Sequence, residues 1–322
     1  MTRAVLAPTR PPGSATYPWL GRVVVANLGL QVLIVVTGGL VRLTGSGLGC
    51  PTLLQCEPGS YTPTFQASAG FHPYVEFGNR MLSILVGLGA LAALWAVWRW
   101  ARHRRPMLML AGLVLGGTVL QGVLGGITVR TGLHPTTVMA HFLISMTLVS
   151  VSTLLVWHDR AARPDAPGAP VPRLVRRVGW LTATVGALVL VLGTVVTGSG
   201  PHSGDADEPA RFGFDPRTVT WLHADAVMLF CGLVVGMVLA THLLPSAARA
   251  RGAWRVVLLV TLAQGLVGYV QYLTGLPETL VLVHMLGAAL LTVALTWAVA
   301  KLSPSHGHAP SLVDQQDLLR QA

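Results

Sequence analysis

The residues that could do chemistry in this chain are few and unusually placed. Glu76, Asn79 and Arg80 stand together, and His141, His223 and His284 follow at wide intervals, each inside an otherwise apolar stretch. An ionisable side chain within a run of membrane-spanning length costs several kcal/mol, roughly 2.5–3.5 on insertion scales, and is by default a functional feature. Neutral imidazole ligates iron well, and two imidazoles from facing helices can hold a haem from both sides. His223 and His284 make such a pair. His141 stands opposite Asn79, a poor iron ligand, which predicts a site with an open or weakly held axial position, better suited to a substrate than to a permanent cofactor. Glu76, one turn before Arg80, is placed to accept protons or to stabilise developing positive charge, with an internal ion pair to Arg80 as the structural alternative. Arg42, Arg80 and Arg130 could pair with porphyrin propionates. Arg42 and Arg130 could equally mark helix ends at lipid headgroups.

The stretches that must position these residues are read from charge. Of 322 residues, 52% are hydrophobic and 11% charged, against about 25% charged in a soluble domain. Residues 23–41, 81–97, 107–129, 178–200 and 256–277 carry no charge at all. Three further runs, near 139–157, 219–240 and 279–300, hold one or two ionisable residues each. All approach or exceed the roughly 20 residues a helix needs to cross a bilayer. They lack the alternation of a membrane β-barrel. The expected fold is all-α and integral to the membrane, with eight transmembrane helices. The even-numbered helices carry the polar residues.

The net charge of +10 is a topological signal and not a nucleic-acid footprint. Of the 22 basic residues, 17 lie in segments 3–22, 99–105, 160–177, 249–255 and 301–320. Those are the two tails and every second loop, which places both termini in the cytoplasm. Every even helix then enters from the outer face, with its polar group within about two turns of it. The first span lacks a small-residue cleavage site and reads as retained.

The chain also repeats itself. Gln121-Gly122-Val123-Leu124-Gly125, Thr131-Gly132-Leu133 and His141 recur 143 residues later as Gln264-Gly265-Leu266-Val267-Gly268, Thr274-Gly275-Leu276 and His284. Thr44-Gly45-Ser46-Gly47 recurs as Thr197-Gly198-Ser199-Gly200. Two four-helix bundles are expected, at 22–158 and 178–300, with a cytoplasmic tail at 1–21, a Pro-rich linker at 159–177 and a polar tail at 301–322. His306 and His308 in that tail are weak metal candidates. Cys50 and Cys56 share the first outer loop, where an oxidising compartment permits a disulfide. Cys231, mid-span, reads as a packing residue.

The segments Gly39 to Cys50 with Cys56, Glu76-Phe77-Gly78-Asn79-Arg80 and Thr197 to His202, together with the three helix histidines, resemble haem A synthase over about residues 20–300. That resemblance implies conversion of the C8 methyl of haem O to a formyl group, with oxygen taken from water. It implies a resident haem b on His223 and His284, substrate haem at His141, a catalytic Glu76, and a disulfide between Cys50 and Cys56. The family pattern Glu-x-x-His-Arg differs here in having Asn79 at the histidine position, leaving water, Glu76 or His72 to face His141. Haem O synthase as donor, an electron acceptor such as a quinone, a bacterial plasma-membrane location with sites towards the outer face, and self-association complete the expectations. The residues alone leave two other readings open: a di-haem b-type cytochrome that transfers electrons, and a haem carrier.

Overall fold

The computed structural model describes residues 18–50, 55–56, 59–64, 70–160, 171–202, 204 and 210–303. His306, His308 and most of the tail and linker segments lie outside the described residues. Among the described residues, eight α-helices are long and apolar enough to cross a membrane, and the chain is a multi-pass membrane protein. They are α1 (Pro18–Leu43), α2 (His72–Ala101), α3 (Arg105–Arg130), α4 (Pro135–Arg160), α5 (Arg173–Ser199), α6 (Pro216–Leu243), α7 (Arg251–Leu273) and α8 (Glu278–Ala300). A short 3₁₀ segment, Pro245–Ala250, precedes α7 and was not expected from the sequence. The helices overrun the charge-free runs because basic residues are tolerated at their ends: Arg42 and Arg99 occupy last turns, and Arg105 and Arg173 open α3 and α5.

Proline sits in the first turn of α2, α3 and α6, where its missing N–H costs no helical hydrogen bond. Asp215 caps α6 by accepting from the Thr218 amide at 2.9 Å and hydroxyl at 2.6 Å. These bonds hold its carboxyl below the usual carboxylate range. The exits of α3 and α7 match closely. Gly132 and Leu133 have φ of 59° and 55°, and Gly275 and Leu276 have 80° and 60°. The amide of Leu133 donates to the Thr128 carbonyl at 2.9 Å, and that of Leu276 to Gln271 at 2.7 Å. A leucine in the left-handed region is uncommon, so its use at both exits is a specific shared turn.

Helices α1–α4 pack together, as do α5–α8, and the two groups meet where α1 and α4 touch α8 and α4 touches α5. Three apolar clusters hold this arrangement. One joins Leu20 and Val24 of α1, Val97 of α2, Met107 and Ala111 of α3, and Leu155 of α4. A second joins Val175, Phe230, Met237, Trp254, Val257 and Val299 across α5–α8. The third, Val35, Met146, Val149 and Ala289, cements the seam between the groups. The first two gather near the starts of odd helices and the ends of even ones. Each group is therefore tightly packed at one end, while the end bearing the Cys50–Cys56 loop is more open.

Lipid offers no hydrophobic drive for helices to associate, so close approach and polar contacts matter more. A Cβ on Gly117 would strike the Leu148 side chain, and one on Gly39 would lie 2.7 Å from Met285 Cε. Asn27 Nδ2 donates to Ser152 Oγ at 3.2 Å and Gln31 Nε2 to Thr118 Oγ1 at 3.1 Å, tying α1 to α4 and to α3. Large apolar side chains such as Leu88, Leu113, Leu239 and Leu259 face outward to lipid. Asp225 is exposed on α6, unlike His223 two residues earlier, so the two do not share a site.

Trp254 is fully buried at the tight end of α5–α8. Trp254→Ala is expected to destabilise the protein by about 3–5 kcal/mol, read as a lower Tm in detergent, with no change at the open end of the first group.

Candidate functional site

The first turns of α2 are organised by the loop that precedes them. Cys50 and Cys56 are disulfide-bonded and almost fully buried. Gly49 lies against α2 so closely that a Cβ there would sit 2.8 Å from the His72 carbonyl. This brings the Cys50 amide to Glu76 Oε2 at 2.7 Å, and the Cys50 carbonyl to Arg80 Nη2 at 2.8 Å. Arg80 Nε donates to Glu76 Oε1 at 3.0 Å, and its Nη2 to the same oxygen. The ion pair anticipated from the one-turn spacing is thus present, and it is clamped to both polar groups of one loop residue. Glu76 is only 5% exposed, so burial makes the pairing strong in consequence: removing one partner strands a charge.

The three helix histidines share a second motif that the sequence concealed. His141 on α4 lies over Gly125 of α3, whose Cβ would be 3.6 Å from its Cε1. His284 on α8 lies over Gly268 of α7 at 3.5 Å, and His223 on α6 over Gly193 of α5 at 3.2 Å. Each ring is seated on the neighbouring odd helix at a point with no side chain. The 16-residue interval shared by Gly125–His141 and Gly268–His284 was the available signal. The Nδ1 atoms of His141, His223 and His284 are buried and have no hydrogen-bond partner among the described residues.

All three histidines line one cavity of about 2100 Å³, and so do Glu76, Asn79, Arg80 and Arg42. That exceeds twice the ~300–1,000 Å³ of ordinary small-molecule sites. Asn79 Oδ1 accepts from the Thr37 hydroxyl at 2.8 Å. Arg42 reaches across to α5, donating to the Thr197 carbonyl at 2.7 Å, while its Nε is buried without a partner among the described residues. Arg130 is exposed at the end of α3 and His72 bonds Ser46 at 2.9 Å; neither is among the cavity's lining residues. Arg217 and Cys231 do line it, the first at the start of α6 and the second mid-helix. Imidazoles lacking protein partners, seated on glycines in a largely apolar chamber, fit a planar iron porphyrin held axially. The second group supplies two such rings and the first supplies one.

Residues 21–202 match the family described as cytochrome oxidase assembly protein. The chain is 32% identical to a heme A synthase of Methylorubrum populi, over 95% of this chain and 91% of that protein. The chain belongs to the haem A synthase family. Other heme A synthases are similar over shorter spans: one from Methylorubrum extorquens is 31% identical over 76% of this chain and 74% of its own length, and one from Symbiobacterium thermophilum is 35% identical over 55% and 58%. For a haem A synthase family member, the clamp on Glu76 places a charged pair in the wall of the chamber and joins it to the disulfide loop.

Arg80→Ala should leave Glu76 buried and unpaired, at a cost of about 3–5 kcal/mol. The expected readouts are a lower Tm and faster alkylation of Cys50 and Cys56 under mild reduction. An unchanged alkylation rate would show that the loop does not depend on the pair.

Proposed function

We propose that this protein is a membrane oxidoreductase that converts haem O to haem A, oxidising the C8 methyl to a formyl group with oxygen from water. The observation that carries the reading is the grouping of three glycine-seated histidines and Glu76 about one chamber, in a chain of this family. In this reading residues 22–158 and 178–300 are repeated four-helix halves, the termini are cytoplasmic, and the chamber's open end faces outward. The matched exits of α3 and α7 support the repeat. The distribution of basic residues supports the orientation.

His141 holds the substrate iron from α4, and Asn79, turned to Thr37, leaves the opposite position to a weaker ligand. Glu76 and His72 are poor candidates for that position, because the carboxylate oxygens are engaged by Arg80 and Cys50 and His72 is not among the residues lining the chamber. Water is the ligand that remains from the expected set. Arg42, with an unused Nε, and Arg80 are the cations placed to meet propionates; exposed Arg130 is less suited. His223 and His284 would hold a haem b, which supplies one-electron redox chemistry when bound.

Each oxidation takes one water and releases two electrons and two protons: methyl to hydroxymethyl, then hydroxymethyl to the hydrated aldehyde, which loses water to give the formyl group. Glu76 accepts a proton at Oε1 or Oε2 as the attacking water is deprotonated, and Arg80 holds the carboxylate in position beforehand. Electrons pass to an acceptor such as a quinone. Haem O synthase is the natural donor of substrate, and self-association is compatible with the apolar outer surface.

Cells supplied with haem O and expressing the protein should yield haem A on extraction and chromatography, alongside haem b. Glu76→Ala should lower haem A by about 100-fold at unchanged haem b content. Near-normal output from the variant would remove Glu76 from the mechanism. Haem b alone, at two per chain, would point to an electron-transfer cytochrome, and a protein without haem would sink the reading.

A further inference from the structure

Gln121 is a chamber residue to which nothing above assigns a role. It lies on α3 about 13 Å from that helix's exit, whereas His141 lies about 9 Å from the start of α4, so Gln121 is the deeper of the two. Its carboxamide is anchored at one end: Nε2 donates to the His141 carbonyl at 2.8 Å and to Ser145 Oγ at 2.5 Å. Ser145 directs its own hydroxyl hydrogen to the same carbonyl at 3.0 Å. A carbonyl only accepts, so the amide cannot be turned end for end, and Oε1 must be the free end. That oxygen is withdrawn from water and meets no donor among the described residues. A dry, unpartnered acceptor is uncommon in a folded protein and calls for an explanation. Gln121 is itself one of the residues that line the chamber, so its carboxamide stands in the chamber wall.

The position 143 residues on is built differently. Gln264 lays its carboxamide into the space that a Cβ on Gly287 would fill. Ala288 occupies the place that corresponds to Ser145, so the hydroxyl that anchors Gln121 has no counterpart. Of these two positions only Gln121 therefore holds an anchored, vacant acceptor; in the other group Gln271 Oε1 on α7 is also buried without a partner among the described residues, one turn from that helix's end.

Haem O and haem b differ chiefly in one arm. Haem O carries a hydroxyethyl-farnesyl group where haem b has a vinyl, on the edge of the macrocycle away from the propionates. With propionates directed to Arg42 at the open end, that arm points inward, to the level of Gln121. Beyond it the chamber continues past Leu148 and Leu154 to Trp157 at the tight end, an apolar course suited to an isoprenoid tail. We propose that Gln121 Oε1 accepts a hydrogen bond from the hydroxyl of this arm, and that this contact makes the α1–α4 site selective for haem O over porphyrins lacking the hydroxyl. The inference rests on the reading that this site takes haem O. It makes Gln121 a specificity-determining residue, because a buried acceptor left empty by the wrong ligand penalises that ligand.

The test titrates the purified holoprotein, without an electron acceptor, with haem O and with its dehydrated derivative, in which the hydroxyl has been eliminated as water. Soret changes report binding. Wild type should bind haem O about tenfold more tightly than the dehydrated form. Gln121→Met and Gln121→Leu, which keep the volume, should bind both ligands alike at the weaker level, with the resident haem spectrum unchanged. Gln264→Met should keep the wild-type preference. A tenfold preference retained in both Gln121 variants would overturn the assignment, as would equal binding of the two ligands by wild type. A wild-type protein that binds neither ligand would overturn the haem O reading itself, which separates the two failures. The wild-type comparison needs no variant to fold.

Discussion

Leu20, Val24, Met107 and Leu155 in one group of helices, and Phe230, Met237, Trp254 and Val257 in the other, are withdrawn almost completely from their surroundings. They lie at the same end of the molecule, where small and branched side chains interlock between neighbouring helices. Interiors of this density transmit position from one helix to the next. The opposite ends of the same helices are held apart over the space that becomes the chamber. Polar residues can then face a common interior while the outer surface remains apolar, as the bilayer requires. The site is thus a product of packing centred elsewhere, about 10–20 Å along the helices from the histidines.

Within that frame the two groups are not equivalent. One presents paired imidazoles, and the other presents a single imidazole beside an ion pair that is clamped to a disulfide-closed loop. The pairing of Glu76 with Arg80 also solves a problem of solvation. A carboxylate at this depth has few donors available from neighbouring helices, and it draws on a backbone amide from outside the helices to complete its shell. Loop, ion pair and helix start are consequently one unit.

The eight helices and their polar residues were legible in the sequence because charge is so unevenly distributed along it. Glu76 with Arg80 was legible as a one-turn pair, and Cys50 with Cys56 as neighbours in one loop. What could not be read was direction. These helices are apolar on every side, so no stripe marks the inward face, and nothing in the sequence separates exposed Asp225 from chamber-lining His223 two residues earlier. Contacts between distant segments were equally hidden: Cys50 with Glu76 comes from an irregular loop, and Arg42 with Thr197 joins residues 155 apart. The glycines beneath the histidines were visible as letters, but their meaning depends on which helices are neighbours. The 3₁₀ segment before α7 had no periodic signature to announce it.

The bond from Arg42 to Thr197 has a mechanical consequence. It fastens the last turn of α1 to the last turn of α5 at the open end of the molecule, and the Gly47 amide on the Gly204 carbonyl adds a second tie between the two loops there. A cycle of rocking, in which one group of helices tilts against the other to carry cargo through the bilayer, would have to break both fastenings on every turn. Chemistry carried out within a fixed chamber would break neither. The architecture is better matched to a site held still than to a machine with moving halves.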